Sequence, residues 1–234
     1  MTETKGALGA ALGGGLVGSL VAVGIMVAAG PKLLGERIVR QALVNNPELL
    51  IEASDALKNK QYAQALLPIR AQLEKPYYGS WKGAAKPKVT MVYFFDYACG
   101  YCRQSNPDIE RLLKENADLR IVYRELPILG PASVVASRFS LNAAKAGRFA
   151  QFHDTMYAEG APTEASITAA AKAAGLDPKL APDPQQDAEL SANQMMAGQL
   201  GATGTPLFIV GDAVFNSAVG YDQLKKAIET ARKG

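Results

Sequence analysis

Val89-Thr90-Met91-Val92-Tyr93-Phe94-Phe95-Asp96-Tyr97-Ala98-Cys99-Gly100-Tyr101-Cys102 decides the reading of this chain. Its first seven residues are an apolar run of strand length, rich in β-branched and aromatic side chains. The stretch beyond the second cysteine, clearest from Asp108 to Glu115, has helical character. The chain's two cysteines, Cys99 and Cys102, fall at the junction. Two thiols spaced C-x-x-C where a strand enters a helix suit thiol–disulfide exchange. Free backbone N–H groups and the positive end of the helix dipole favour a thiolate at the first sulfur. The second lies one turn further on, close enough to close a disulfide or to resolve a mixed one.

Other uses suit the pair less well. A disulfide across two intervening residues closes a very short loop and restrains the unfolded chain little. Structural zinc takes four Cys or His ligands, whereas this chain offers two Cys and one His. Two inert buried cysteines would have to meet in one C-x-x-C by accident. Two thiolates do suit linear Cu(I), a soft ion, so Cys99 and Cys102 are candidate Cu(I) ligands as well as the candidate catalytic pair. No cofactor is required for the expected exchange.

The 234 residues are 48% hydrophobic and 7% aromatic, which suits a globular α/β protein. A net charge of +3 without a Lys/Arg cluster argues against a nucleic-acid partner. Residues 7–29 are uncharged and apolar. Such a stretch reaches the roughly 20 residues that span a bilayer and exceeds the ~7–15 of a signal-peptide core. Lys5 gives it a modest positive start, and Pro31 beside Ala28-Ala29-Gly30 makes a poor cleavage site. Residues 1–30 therefore read as a signal peptide or a membrane anchor, with the anchor favoured. Either one exports the remainder to a compartment where disulfides form.

Residues 31–75 read as a helical arm. Asn46-Pro47-Glu48 is a helix start: a capping residue, proline at the first helical position, an acid in the first turn. Leu50, Ala53 and Leu57 share a face, as do Tyr62, Leu66, Ile69 and Leu73. The arm cannot bury these stripes alone, and self-association is the favoured way to cover them. Residues 76–88 read as a linker. The strand at Val89–Phe95 is followed by a helix to about Asn116 and a strand at Leu119–Leu126, ended by Pro127. An Ala-rich helical region, about 131–200, breaks at Gly160–Pro162 and Ala181–Pro184. A strand at Pro206–Val210, a Gly211-Asp212 turn, a strand at Ala213–Phe215 and a helix at Asp222–Arg232 close the chain. The order β-α-β, helical insert, β-β-α predicts an α/β thioredoxin fold over residues 89–234 with an inserted helical domain, preceded by an N-terminal helical oligomerisation arm.

Phe94-Phe95-Asp96-Tyr97-Ala98-Cys99-Gly100-Tyr101-Cys102, Arg124-Glu125-Leu126-Pro127-Ile128-Leu129-Gly130, Phe152-His153-Asp154 and Gly204-Thr205-Pro206 resemble the exported DsbA-like thioredoxin-fold proteins. With the Asn46-Pro47-Glu48 arm, the chain looks closest to the suppressor-of-copper-sensitivity C (ScsC) group. The resemblance implies a periplasmic disulfide isomerase or reductase acting on misoxidised exported proteins, tethered to the inner membrane if residues 7–29 are retained. It implies a ScsB/DsbD-like membrane thiol reductase as electron donor, and a homo-oligomer built by the arms, with a trimer favoured. It also implies that Thr205-Pro206 is a cis-proline loop facing the cysteines, so that Gly100, Tyr101, Thr205 and Pro206 contact substrate. A cis X-Pro bond is far less costly than other cis peptides, and the loop offers a backbone edge to a substrate strand. The rival readings are a disulfide-introducing oxidase and a copper-binding protein for copper tolerance.

Thioredoxin-like relatives often carry a buried acid six residues before the first cysteine, where this chain has Tyr93. Glu125 could approach from the neighbouring strand, although a solvated charge at the strand end is the favoured reading. His153, the chain's one histidine, reads as a packing or capping residue, and Met195-Met196 as helix core. Gly100-Tyr101 brings no imidazole to the Cys99 thiolate, which points to a moderate reduction potential.

Overall fold

The computed structural model describes residues 35–179 and 183–233. The apolar segment 7–29 lies outside them, and among the described residues no helix is long and apolar enough to cross a membrane. The chain divides into two compact units, one ending at Leu57 and the other beginning at Lys58.

The first unit holds helix α1, residues 35–45, and the start of α2, Glu48–Leu66. Proline at position 47 fits the first helical turn, where a missing N–H costs nothing. The Asn46 side chain donates to the Ala42 carbonyl at 3.3 Å and so closes the end of α1. Ile38, Val39, Val44, Leu49, Leu50, Ile51 and Leu57 are all exposed on these helices.

The second unit is built on a five-stranded sheet ordered β1-β3-β2-β4-β5. Its strands are β1 Trp81–Gly83, β2 Val89–Phe95, β3 Leu119–Glu125, β4 Leu207–Val210 and β5 Ala213–Phe215. β2 and β3 run parallel, with Val89 opposite Leu119 and Phe95 opposite Glu125, and the other pairs are antiparallel. β1 lies inside the segment that the sequence presents as a linker. Three residues with one aromatic are too short a run to announce a strand. The helices are α3 Arg70–Glu74, α4 Gly100–Glu115, α5 Pro131–Lys145, α6 Phe149–Glu159, α7 Glu164–Ala173, α8 Pro184–Gln199 and α9 Gly220–Ala231. Four of them, α5 to α8, stand between β3 and β4.

The strand period of two sorts β2 between two cores. Met91, Tyr93 and Phe95 join the side formed by α4 to α7 and α9. Val92 and Phe94 join the other, with Leu66, Ile69 and Leu73 from the end of α2 and α3, and Met196 and Leu200 around the end of α8. Leu66 and Leu73 are therefore core residues of the second unit, at 0% and 1% exposure. This corrects the grouping of Leu50, Leu57, Leu66 and Leu73 on one uncovered arm: the apolar stripe changes its partner along the helix, which periodicity alone does not reveal. A break between α5 and α6 also escapes the sequence pattern. It turns on Gly147, whose φ of +68° suits glycine, and it closes with Gly147 N–H donating to Ala144 O and Arg148 N–H to Ala143 O.

Two charged residues at the end of β3 are buried, Arg124 against α3 and α8 and Glu125 against α5. Arg124 donates to the carbonyls of Gln72, Leu73 and Lys75, which finish α3, and to Glu189 and Asn193 on α8. Glu125 is 1% exposed, not the solvated strand-end charge expected of it. Its Oε1 accepts from Ser140 Oγ at 2.7 Å, and Oε2 has no partner. Burial pushes its carboxyl from the ordinary 4.5 up to about 8.

That shift makes stability depend on pH. Between about 4.5 and 8 the folded protein keeps a proton on Glu125 that the unfolded chain releases, so this carboxyl lowers stability progressively as pH rises through that window. Glu125→Gln keeps a partner for Ser140 and cannot ionise. Denaturant titrations of both proteins from pH 5 to 9 should show the variant gaining on the wild type as pH rises. A constant difference would mean that Glu125 does not titrate there.

Candidate functional site

The site forms where β2 passes into α4. Phe95 ends the strand, and the next turn is held by Asp96, fully buried. One Asp96 carboxylate oxygen accepts from Ala98 N–H at 2.8 Å, and the other accepts from Ile128 and Leu129 N–H, each at 2.9 Å. This single side chain fastens the cysteine turn to the loop that leaves β3. Asp96 was not among the residues singled out from the sequence. The signal was a short acid at a strand-to-helix turn, a residue type that bonds backbone amides two positions on.

Cys99 is the N-cap of α4. Its N–H donates to Asp96 O at 3.0 Å, and its Sγ accepts from Cys102 N–H at 3.4 Å. A sulfur at this position faces the unpaired amides of the first helical turn. Cys99 Sγ also donates to the Thr205 carbonyl at 3.2 Å. The Thr205-Pro206 peptide is cis, and the Thr205 carbonyl sets the loop before β4 against the first cysteine. Gly100 and Tyr101 are exposed, Tyr101 at 65%, whereas Pro206 is buried and Thr205 partly so. The six residues singled out for catalysis and substrate contact come from two segments over a hundred positions apart in sequence, which meet where Cys99 Sγ touches the Thr205 carbonyl.

The two thiols differ in environment. Cys99 retains 5% exposure and Cys102 none. Burial pushes the Cys102 thiol up to about 12, against hydrogen bonding from Asp96 and Tyr93 that favours its thiolate. Both cysteines are free thiols. The first sulfur can meet a substrate disulfide, and the second lies beneath it on the same turn. Among the described residues no group of three or more His, Cys, Asp and Glu could hold a metal, so a metal at this site would have the two sulfurs as its ligands.

His153 is elsewhere, buried among Phe95, Tyr97, Tyr123, Phe149 and Tyr157. Its Nδ1 lies 3.2 Å from Tyr97 Oη, and burial holds its pKa well below the usual value, so it stays neutral. Tyr97 Oη in turn donates to Ser140 Oγ at 2.9 Å, and Ser140 leads to Glu125. Met196 is buried while Met195 is 64% exposed, so only one of that pair is core. A recess of about 440 Å³ opens between α4 and α6, lined by Arg103, Pro107, Tyr123, His153 and Tyr157 among others, with neither thiol on its wall.

Residues 90–229 match the DSBA-like thioredoxin domain, and residues 36–64 match the copper resistance protein ScsC N-terminal domain. Among solved structures, ScsC of Proteus mirabilis in a transitional conformation is 30% identical, with 88% of this chain and 98% of that one covered and a TM-score of 0.68. Its catalytic domain alone gives 27% identity, 74% and 99% coverage and a TM-score of 0.68. A thioredoxin-like oxidoreductase of Silicibacter pomeroyi DSS-3 gives 33%, 70% and 98%, and 0.65. Among curated proteins, the Na(+)/H(+) antiporter NhaA 1 of Salinispora arenicola is 27% identical over 161 residues, and the chain spans only 24% of that protein's length. The match over residues 90–229, the cysteine pair at a helix N-terminus and the cis-proline loop against it agree: the chain belongs to the DsbA-like thioredoxin-domain family, as a thiol–disulfide oxidoreductase of the DsbA/ScsC type.

Proposed function

We propose that the protein is an exported disulfide isomerase and reductase. The observation that carries this reading is the asymmetry of the cysteine pair: Cys99 caps α4 at the rim, and Cys102 is wholly buried below it. Cys99 thiolate attacks a wrong disulfide in an exported protein, forming a mixed disulfide and releasing one substrate sulfur as thiolate. Attack by a second substrate thiol on the mixed disulfide gives the rearranged substrate and returns Cys99. Attack by Cys102 instead gives the Cys99–Cys102 disulfide and a reduced substrate. Tyr101 and the Thr205-Pro206 loop flank the sulfur where a substrate strand would lie. Repeated cycles need a donor of two electrons, for which a membrane thiol reductase is the fitting class.

Cys99→Ser should abolish exchange, and Cys102→Ser should accumulate mixed disulfides, visible on non-reducing gels. If Cys102→Ser is as inactive as Cys99→Ser and traps nothing, the roles are wrongly assigned.

The exposed Leu50 and Leu57, with Ile51 and Leu49 beside them, support self-association through the first unit. A homo-oligomer, with a trimer favoured, would set several Cys99 sites on one assembly and shield them from oxidising machinery. Leu50→Glu with Leu57→Glu in the full chain should yield a monomer by light scattering. That monomer should keep Cys99 reactivity and lose refolding of a scrambled-disulfide substrate. An unchanged mass would remove the arm as the interface and favour the disulfide-introducing oxidase.

The second reading, Cu(I) binding by the same sulfurs, is favoured by their position on one helical turn without a third Cys or His to complete a zinc set. The reduced protein should take one Cu(I) per chain from a competing chelator, and Cys102→Ser should weaken this at least about tenfold through loss of one of two soft ligands. Failure of the reduced wild type to compete would end the copper reading.

A further inference from the structure

The recess between α4 and α6 encloses about 440 Å³, a volume in the range of small-ligand sites, and the exchange chemistry does not use it. Its two ends carry opposite charge. At one end Arg103, the residue after Cys102, donates to the Tyr157 carbonyl and, at 2.6 Å, to the Gly160 carbonyl. Both acceptors are neutral. A guanidinium has five N–H groups, so three remain, and no carboxylate among the described residues pairs with this cation. At the other end Glu110 and Asp154 share one cation. Lys82 Nζ lies 2.8 Å from Glu110 and 2.5 Å from Asp154. Two carboxylates against one ammonium leave that end net negative.

The floor between the ends is built by the rings of Tyr123, His153 and Tyr157. His153 is 3% exposed and ends a chain of hydrogen bonds that has one direction. Ser140 Oγ donates to Glu125 and Tyr97 Oη donates to Ser140, so the Tyr97 oxygen accepts from His153 Nδ1–H. A neutral imidazole protonated on Nδ1 keeps a lone pair on Nε2. No donor among the described residues meets that lone pair. With Nδ1 turned inward to the fully buried Tyr97, Nε2 is the ring nitrogen on the recess side.

A cation, a hydrogen-bond acceptor and a net negative pair therefore line one recess. Arg103 and Glu110 are two helical turns apart on α4, about 10 Å at the α-helical rise. Three extended residues cover about the same span. A metal ion does not suit the place, because no group of three or more His, Cys, Asp and Glu among the described residues could hold one. A lone anion meets repulsion at one end and a lone cation at the other. We infer that this recess binds a short peptide with free termini, about three residues long. Its carboxylate lies on Arg103, a backbone N–H on His153 Nε2, and its ammonium between Glu110 and Asp154. The aromatic floor favours an apolar middle residue. The site is separate from the Cys99 rim and stands whether or not the exchange reading does.

The test is titration of Gly-Phe-Gly, which carries no sulfur, into the reduced full-length protein at low ionic strength, followed by calorimetry and by backbone amide NMR. The peptide should bind one per chain and shift the amides of Asn106, Asp154 and Ala158, leaving those of Gly100 and Gly204 in place. Acetyl-Gly-Phe-Gly-amide has the same ring without terminal charges and should bind at least about tenfold more weakly. Arg103→Gln removes the carboxylate contact, and Glu110→Gln with Asp154→Asn removes the ammonium contact. Each should weaken the free peptide at least about tenfold and leave the capped peptide unchanged. Glu110 and Asp154 have half-exposed side chains, so their double variant keeps the fold and carries the test if Arg103→Gln unfolds. Equal binding of the two peptides, unchanged affinity in the double variant, or no saturable binding at millimolar peptide overturns the site. Shifts centred on Gly100 and Gly204 would place the peptide at the cysteine rim and overturn it as well.

Discussion

Because β2 is covered on both faces and paired on both edges, the position of Cys99 is set by the core and not by its own loop. Met91, Tyr93 and Phe95 anchor the strand on one side, and Val92 and Phe94 on the other. β3 and β4 close its edges. A strand held this way has one exit, and the chain leaves it at Asp96. The three amides gathered by that carboxylate then leave little freedom to the turn that presents the sulfur. The same β4 that flanks β2 begins directly after Pro206, so sheet pairing also carries the cis-proline loop to the cysteine. Two distant segments meet because they are neighbours in one sheet.

Buried polar groups around this frame fall into two kinds. Asp96 and Arg124 are surrounded by partners, so their burial is offset by charge-assisted hydrogen bonds and each locks segments together. Glu125 and Cys102 are disfavoured as ions: one carboxylate oxygen has no partner, and burial raises the cost of the thiolate. The first kind stabilises the architecture. The second stores a proton whose release changes the energy of the fold or of the reaction, and both members sit close to the C-terminal edge of the two parallel strands.

Much of this was legible in the sequence. β2 reads as a buried strand because its apolar run is continuous, as double-sided burial demands. The C-x-x-C pair marks the helix start, and Gly211-Asp212 marks the hairpin. The misses share a cause. β1 is a three-residue strand that exists only because β3 offers it an edge. Leu66 and Leu73 continue the arm's periodicity yet belong to another core. Glu125 has the chemistry of a surface residue and is buried because α5 brings Ser140 over it. In each case the deciding partner lies far away in sequence, where no local pattern records it.

Cys99 and Cys102 are chemically identical, and everything that separates their roles comes from depth. One turn of helix takes the second sulfur from a rim with 5% exposure to a site with none. At the rim, the Cys102 amide at the helix start already faces the Cys99 sulfur. Below it, the sulfur is kept as a neutral thiol by burial and can ionise only against a donor already in place. In the proposed cycle, depth thus places attack by Cys99 before attack by Cys102. In the proposed cycle, the order in which a second substrate thiol and Cys102 attack the mixed disulfide separates isomerisation from net reduction.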